Sequence, residues 1–549
     1  MCPPILLTAC SEVNPPLPNG TFSHVNAGDR IAYLNRFLLA CSIRFKGVCL
    51  LSLCSSFHLA AAYPATFTGT GSRFTIMPST RARSTNFQVQ MMKEANPRWK
   101  PIFIVKPDGG CQGDGIYLIK EPADIQGTGS ARPPRPAVVQ EYVSQPFLID
   151  SLKFDIRLYV LLKSLDPLEF YVAKDGLCRF CTERYQEPTH KNLHQVFMHL
   201  TNYSLNVHSG NFVHSDSANT GSKQTFSSVL NRLSSGGVDL EDLTENIVSL
   251  VIKTVIAMVP NLKIYHQSDI PAGKPGPSCF QILGFDILLM KNLKPILMEV
   301  NANPSMRTEH EKEVSPGVYE YIRSPVDEAV KISVIRDTLR LVDPRKKKRE
   351  KTLAEVSEAE WERENDLLEE GPELEDSKTS EAKFPSICLR ELYPKLAKEF
   401  DYLRLVERIA ALFIRFLGVK GTTKLGPTGF RMFIRNSKLS NSEFSMASAD
   451  ILYIDITKKQ HGLATDRDAR MDLHTFVEAI CFLAQRRYKS LSLHEQVELL
   501  IDFAESNLAA QDKKRACWDQ RVALVTCHQN RLQLRPATNM LVDYRSSRP

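Results

Sequence analysis

No second CxxC pair accompanies the one at Cys178–Cys181, so the thirteen cysteines do not assemble a zinc site. They lie scattered, five of them (Cys2, Cys10, Cys41, Cys49 and Cys54) before residue 60, and read as ordinary thiols of a reduced, intracellular compartment. The apolar stretch 47–63 is broken by a histidine and several hydroxyls, with Arg36, Arg44 and Lys46 ahead of it. It is short for a spanning helix and late for a signal peptide, so stable membrane insertion is not expected. No GxxxxGK[ST] motif occurs, which excludes a Walker A phosphate loop. No Ser-His-Asp or Cys-His signature marks an enzyme nucleophile, and no internal repeat points to a solenoid.

What is present is an ordinary globular composition, 43% hydrophobic and 24% charged, on a chain of 549 residues, long enough for two to four domains. The net charge of +7 conceals a split. Residues 352–382 hold twelve acids against two bases, Arg363 and Lys378, which leaves about +17 on the rest. Such an excess fits a polyanion: nucleic acid, anionic lipid or an acidic protein tail.

Residues 1–85 show no sustained period and are assigned no fold; a poorly ordered segment is expected there. From 86 onward short runs rich in β-formers appear: 101–106, 115–120 and 137–143. In 153–163 the residues alternate, Phe154, Ile156, Leu158 and Val160 facing one way and Lys153, Asp155 and Arg157 the other. Residues 240–259 read as a helix with Asp239 as N-cap. Two apolar runs, 280–289 and 295–300, read as a hairpin turning at Asn292-Leu293. The expected organisation is a core over 86–343, a charged linker over 344–384, a helical basic region over 385–510 and a tail over 511–549. In the helical region Leu405, Ile409, Leu412, Phe413 and Phe416 share one face. The run Arg345 to Arg349 and the acidic stretch after it read as unstructured charge blocks.

Three constellations carry chemistry. Partner positions in the hairpin sum to 585, so Asp286 faces Glu299 with Asn301 two residues on. Two carboxylates and an amide oxygen suit Mg²⁺, which shares its remaining positions with water and phosphate; one exposed acid on each strand is the alternative. Lys106 ends a strand ahead of the glycine-rich loop 109–115, where backbone N–H groups could approach phosphates, although most such loops are plain turns. Lys153, Asp155 and Arg157 could neutralise phosphate, or could simply be a solvated strand face.

Taken in order, the Lys106 strand and glycine loop, VVQEYV, KFDIR, HLTNYS, GFDILLM and ILMEVNANPS resemble the tubulin–tyrosine ligase-like family from about 95 to 343, and its glutamylase branch in particular. The resemblance implies an α+β architecture, an ATP-grasp fold with central and C-terminal ligase domains, followed here by a mostly helical basic extension. It implies ATP and Mg²⁺ as cofactors, and tubulin tails and free L-glutamate as substrates. By position, Lys106, Gln112 and Gly113 would hold phosphates. Gln140, Glu141, Tyr142 and Val143 would line the adenine pocket, and Lys153, Phe154, Asp155, Thr201 and Asn202 would complete the nucleotide site. Asp286, Glu299 and Asn301 would hold the metal. Arg157, with Lys153, would stabilise the transferring phosphoryl group, and Arg179, Tyr203, Ser204 and Lys223 would meet the incoming glutamate.

The acidic tubulin tail then becomes the expected polyanion, met as a monomer by the basic surface, rather than nucleic acid. A nuclear-import-like role for 345–349, or a merely solvated end, is the alternative. A cytoplasmic, cytoskeletal location follows, with cilium or basal body by family analogy. The family carries an N-terminal domain ahead of the Lys106 strand, whose strands and motifs residues 1–85 do not show. A catalytically impaired microtubule-binding relative is therefore the second expectation.

Overall fold

The computed structural model describes residues 74–77, 102–107, 113–121, 124, 137–214, 217, 219–269, 279–315, 318–343, 387–418, 421–461 and 470–533. Residues 47–63 and the run 344–384 lie outside them. The fold is α+β: among the described residues it has two larger antiparallel sheets, a two-stranded one and a helical module.

The smaller sheet has four strands in the order β1-β4-β2-β3. These are β1 (Phe74–Met77), β2 (Phe103–Pro107), β3 (Tyr117–Ile119) and β4 (Ala137–Glu141). The last three fall where β-branched and aromatic residues cluster. β1 lies ahead of the expected start at 86: its FTIM pairs with 137–140, a long-range partner that local periodicity does not reveal.

The larger sheet has seven strands. Its spine is β6 (Leu152–Leu165), flanked by β7 (Leu168–Phe180) and β9 (Gln281–Leu289). Beyond β9 lies β10 (Pro295–Asn301). The short β5 (Leu148–Ile149) pairs with β6, and β8 (Lys223–Thr225) with β7. A hairpin of β11 (Glu309–Ser315) and β12 (Val318–Arg323) stands apart. The seventh strand, β13 (Leu389–Tyr393), closes the β7 edge. The expected boundary at 385 therefore runs into a strand of the core sheet before the helices begin.

Two single-turn helices, α1 (Val196–His199) and α2 (Tyr203–Asn206), precede α3 (Phe226–Ser235) and α4 (Leu240–Asp269). Asp239 caps α4 as expected, its carboxylate accepting from Glu241 N at 3.0 Å. α4 is long and apolar enough to cross a membrane, but 61% of its most apolar window is buried inside the protein. Its apolar character serves packing on the sheet side and against the helical module.

α5 (Pro325–Val342) is capped by Ser324 and starts on Pro325. After α6 (Ala397–Phe400) the module comprises α7 (Leu405–Phe416), α8 (Pro427–Asn436), α9 (Met446–His461), α10 (Leu473–Arg487) and α11 (Leu493–Gln533). The expected face of α7 is buried. The α7–α8 and α9–α10 connections are tied by a two-way bridge, Leu425 N to Met471 O at 2.7 Å and the reverse at 3.0 Å. α11 fills the groove between the helix pairs with Val497, Leu500, Ile501, Ala504 and Leu508.

Candidate active site

Antiparallel register builds a charged row across five strands of the larger sheet. Period-two alternation sends Lys153, Asp155 and Arg157 to one face of β6. Asp155 stands opposite Arg179 on β7, and Arg157 opposite Asp286 on β9. Asp286 in turn faces Glu299 on β10, and Arg179 faces Lys223 on β8. Phe154 points to the other face, where its ring stacks on Phe180 at 5.2 Å. It therefore lies outside the nucleotide set in which the sequence placed it.

The Asp286–Glu299 pairing has an unexpected origin. Next to the turn Leu289 pairs with Pro295, and Leu293 takes a φ of +64°. A bulge between Leu297 and Glu299 then inserts one residue and brings Glu299 opposite Asp286. Gly284 lets the neighbouring strands close in: a Cβ there would lie 2.9 Å from Pro304 Cβ and 3.1 Å from Arg157 Cδ.

Cross-strand pairing makes the row a lattice of ion pairs. Arg157 Nη2 donates to Asp286 Oδ2 at 2.8 Å, and its Nε donates to Oδ1. Arg179 donates to Asp155 Oδ1 at 2.9 Å, to Asp155 Oδ2, and to Asp286 Oδ2 at 2.8 Å. Burial alone would raise the Asp286 carboxyl, but Arg179 and Arg157 outweigh it and hold the group well below the usual carboxylate range. Glu299 moves the other way, raised by burial and then by the charge of Asp286. Asn301 Nδ2 bridges the two, 3.3 Å from Glu299 and 3.5 Å from Asp286.

Beside the row an open cleft separates the sheets. Ile104, Ile116, Leu288 and Met298 give it apolar walls. Lys106 and Lys153 enter it from opposite sheets, and Thr201, Asn202 and the strand end Glu141 to Val143 border it. Burial lowers both amines, Lys153 to about 8.

Gln140 sits on the strand face that carries Tyr142 and is 1% exposed. Neither atom of its amide has a partner among the described residues. A buried donor and acceptor side by side suit the edge of a nucleobase that offers both, although Gln140 is not among the residues that line the cleft. The donor set also fits a divalent cation: two carboxylates and an amide suit Mg²⁺ completed by phosphate oxygens. Among the described residues no cluster of three or more His, Cys, Asp or Glu could hold a metal by itself.

Gly113 has a φ of +89°, and a Cβ there would meet Leu205 Cδ1 at 2.7 Å and Asn202 Cγ at 3.0 Å. The glycine loop thus closes on the N-cap of α2. Gln112 lies outside the described residues.

The set expected to meet glutamate is brought together, but its cations are already engaged. Arg179 is held by Asp155 and Asp286, and Lys223 by Asp327. Lys223 also lies 4.4 Å over the ring of Tyr203, and Ser204 is half-buried in the same helix. Asp327 and Lys331, 2.8 Å apart on α5, belong to this cluster and were not read from the sequence. His199, Leu288 and Met298 were likewise unassigned. Their signal was confined to apolar runs and one histidine, which read equally as core.

A model of the tubulin–tyrosine ligase family matches residues 57–348. A second model, described as an EF-hand of tubulin polyglutamylase TTLL11, matches residues 390–520. The chain is 66% identical over 430 residues to tubulin polyglutamylase TTLL11 of Homo sapiens, covering 78% of this chain and 60% of that protein. It is 60% identical over 483 residues to the Mus musculus protein of the same name, covering 82% and 65%. Tubulin polyglutamylase ttll-11 of Caenorhabditis elegans is 33% identical over 418 residues, covering 74% and 56%. The chain thus spans less than two thirds of the length of each of these relatives. The family match begins at 57, upstream of the resemblance read from motifs.

Proposed function

The chain belongs to the tubulin–tyrosine ligase family, and on that premise we propose that it is a ligase that adds glutamate to the glutamate side chains of tubulin C-terminal tails, using ATP and Mg²⁺ in an ATP-grasp cleft. The carrying observation is Asp286 opposite Glu299 with Arg157 paired to Asp286, at the edge of a two-sheet cleft. Two of the relatives named above, at 60% and 66% identity, are called tubulin polyglutamylases, which supports glutamate and tubulin as substrates.

A carboxylate does not react with an amine at neutral pH. ATP, when bound, would supply the activation: transfer of its terminal phosphoryl group to the acceptor carboxylate releases ADP, and the amino group of free glutamate then displaces phosphate to leave the amide. The chain's own part is positioning and charge neutralisation. The strand end Gln140 to Val143 runs beside the base, which the backbone groups of Glu141 and Val143 hold. Lys106, Lys153 and the glycine loop at Gln112 and Gly113 meet phosphate, with Asp155, Thr201 and Asn202 alongside. Asp286, Glu299 and Asn301 hold Mg²⁺, and Arg157 stabilises the transferring phosphoryl group. Arg179 acts mainly by fixing Asp155 and Asp286, while Tyr203, Ser204 and Lys223 border the glutamate subsite. The basic surface outside the acidic stretch, including 345–349 and 385–510, suits an acidic tubulin tail and gives a cytoskeletal, cytoplasmic location, with cilia or basal bodies by family analogy.

The test is incorporation of labelled glutamate into microtubules with ATP and Mg²⁺, by the chain and by Glu299→Gln. Incorporation by the parent and its loss in the variant are expected. A folded parent that pellets with microtubules and incorporates nothing would overturn the ligase reading in favour of a binding role.

A further inference from the structure

Behind Lys153 lies a buried polar chain that the ligase reading does not use. His199 ends α1 with no solvent exposure. Its Nε2 lies 3.0 Å from the carbonyl oxygen of Asn192. A carbonyl only accepts, so Nε2 carries the proton and Nδ1 is left as an acceptor. Nδ1 lies 3.0 Å from the Tyr142 hydroxyl, which must then donate to it. The hydroxyl oxygen in turn accepts from Lys153 Nζ at 3.0 Å. One carbonyl therefore sets the direction of the whole chain: Lys153 to Tyr142, Tyr142 to His199, His199 to Asn192.

The same histidine holds Lys153 a second time, because its backbone oxygen accepts from Nζ at 2.7 Å. Nζ also lies 4.5 Å over the Tyr142 ring. An ammonium has three N–H bonds and no lone pair. Two are directed into this wall, which leaves one for the cleft that Lys153 shares with Lys106 and the Asp286–Glu299 pair. Desolvation keeps the imidazole neutral, its pKa lowered to about 4, so the acceptor at Nδ1 persists at physiological pH.

We propose that His199 is a positioning residue that, through Tyr142, aims the free N–H of Lys153 at the phosphates of the bound nucleotide. The proposal rests on the ligase reading for the identity of that ligand. It makes the HLTNYS segment part of the phosphate-binding apparatus through its first residue as well as through Thr201 and Asn202. It also explains why Tyr142 sits in the strand end bordering the base: its ring faces the cleft and its hydroxyl serves the lysine.

The experiment is calorimetric titration of the full chain with Mg²⁺ and a non-hydrolysable ATP analogue, and separately with adenosine. The variants are Tyr142→Phe, which keeps the ring, His199→Phe, which keeps the bulk, and the double variant. Each single change is expected to weaken analogue binding roughly tenfold, the scale of one hydrogen bond to a charged group. Adenosine binding is expected to fall by less than analogue binding in each variant, and the double variant to be no weaker than the weaker single. Should His199→Phe fail to fold, Tyr142→Phe carries the same expectation alone. Analogue affinity at the parent level in Tyr142→Phe, or parallel loss of adenosine binding, would overturn the positioning role and leave the ligase reading intact. A folded parent that binds neither compound would overturn both.

Discussion

Glu299 shows how a side chain can be kept at a cost to stability. Burial and the neighbouring Asp286 raise its pKa above the ordinary 4.5. A carboxyl whose folded pKa is raised destabilises the fold once it ionises, so its penalty is absent at acid pH and grows as pH rises through 4.5 and the folded value. Glu299→Gln is therefore expected to raise the melting temperature of the metal-free protein at pH 7, with the gain vanishing near pH 4. Scanning fluorimetry in EDTA at both pH values checks this, and a lower melting temperature for the variant at pH 7 would contradict it. Asp286 behaves oppositely. Its depressed pKa contributes stability that is present above its unfolded value of 3.8 and is lost as pH falls below it. Asp286→Asn leaves Arg157 and Arg179 buried with less counter-charge and is expected to cost about 3–5 kcal/mol in urea unfolding.

At the scale of elements, close strand approach depends on glycine. A Cβ at Gly176 on β7 would lie 2.5 Å from the Arg157 carbonyl oxygen, which is backbone and cannot rotate away. Gly176→Ala should cost about 1–3 kcal/mol by chemical denaturation and weaken the β6–β7 pairing that seats Asp155 and Arg179. This pairing also marks where sequence reading stopped. The facing of Lys153, Asp155 and Arg157 was legible because alternation is local. The Asp286–Glu299 pair was legible because a hairpin's register follows from its turn, although a bulge compensates for a turn offset by one residue. The partners of Arg179 were not, since β6 and β7 change register twice along their length. The helical module was legible as helices, but the bridge of Leu425 to Met471 joins positions 46 residues apart. The EF-hand likeness of this module raises the question of calcium. The α7–α8 connection, residues 417–426, contains no Asp or Glu; the α9–α10 connection carries Asp466, Asp468 and Asp472, but Asp472 caps α10 through Thr475 N at 2.9 Å and the twelfth position counted from Asp466 is Val477. Calcium loops need carboxylates at alternating positions and a bidentate Glu at the end. Titration calorimetry is expected to find no calcium site tighter than about 10⁻⁴ M; a micromolar site would refute this.

At the scale of the molecule, the helical module is built into the two-sheet body. β13 pairs with β7, so the chain returns to the core sheet before entering the module. α4 then carries one of its residues, Ile264, into the apolar cluster formed by α7 to α11, where it is 3% exposed. Next to it Lys263 pairs with Glu407 at 2.8 Å, and Glu407 is also held by Arg404 at 2.7 Å. A shared strand, a shared core residue and a buried ion pair argue that the two parts open together. Ile264→Ala removes apolar volume from a core that both parts own, and is expected to cost about 2–5 kcal/mol. Hydrogen exchange read segment by segment distinguishes the possibilities, because it reports local opening separately for each element. If the parts are one cooperative unit, the variant accelerates exchange in α7, α8 and the β6–β7 pair as well as in α4. Acceleration confined to α4 and the module, with β6 and β7 at their original protection, would mean that the module opens on its own and that the cleft between the sheets stands without it.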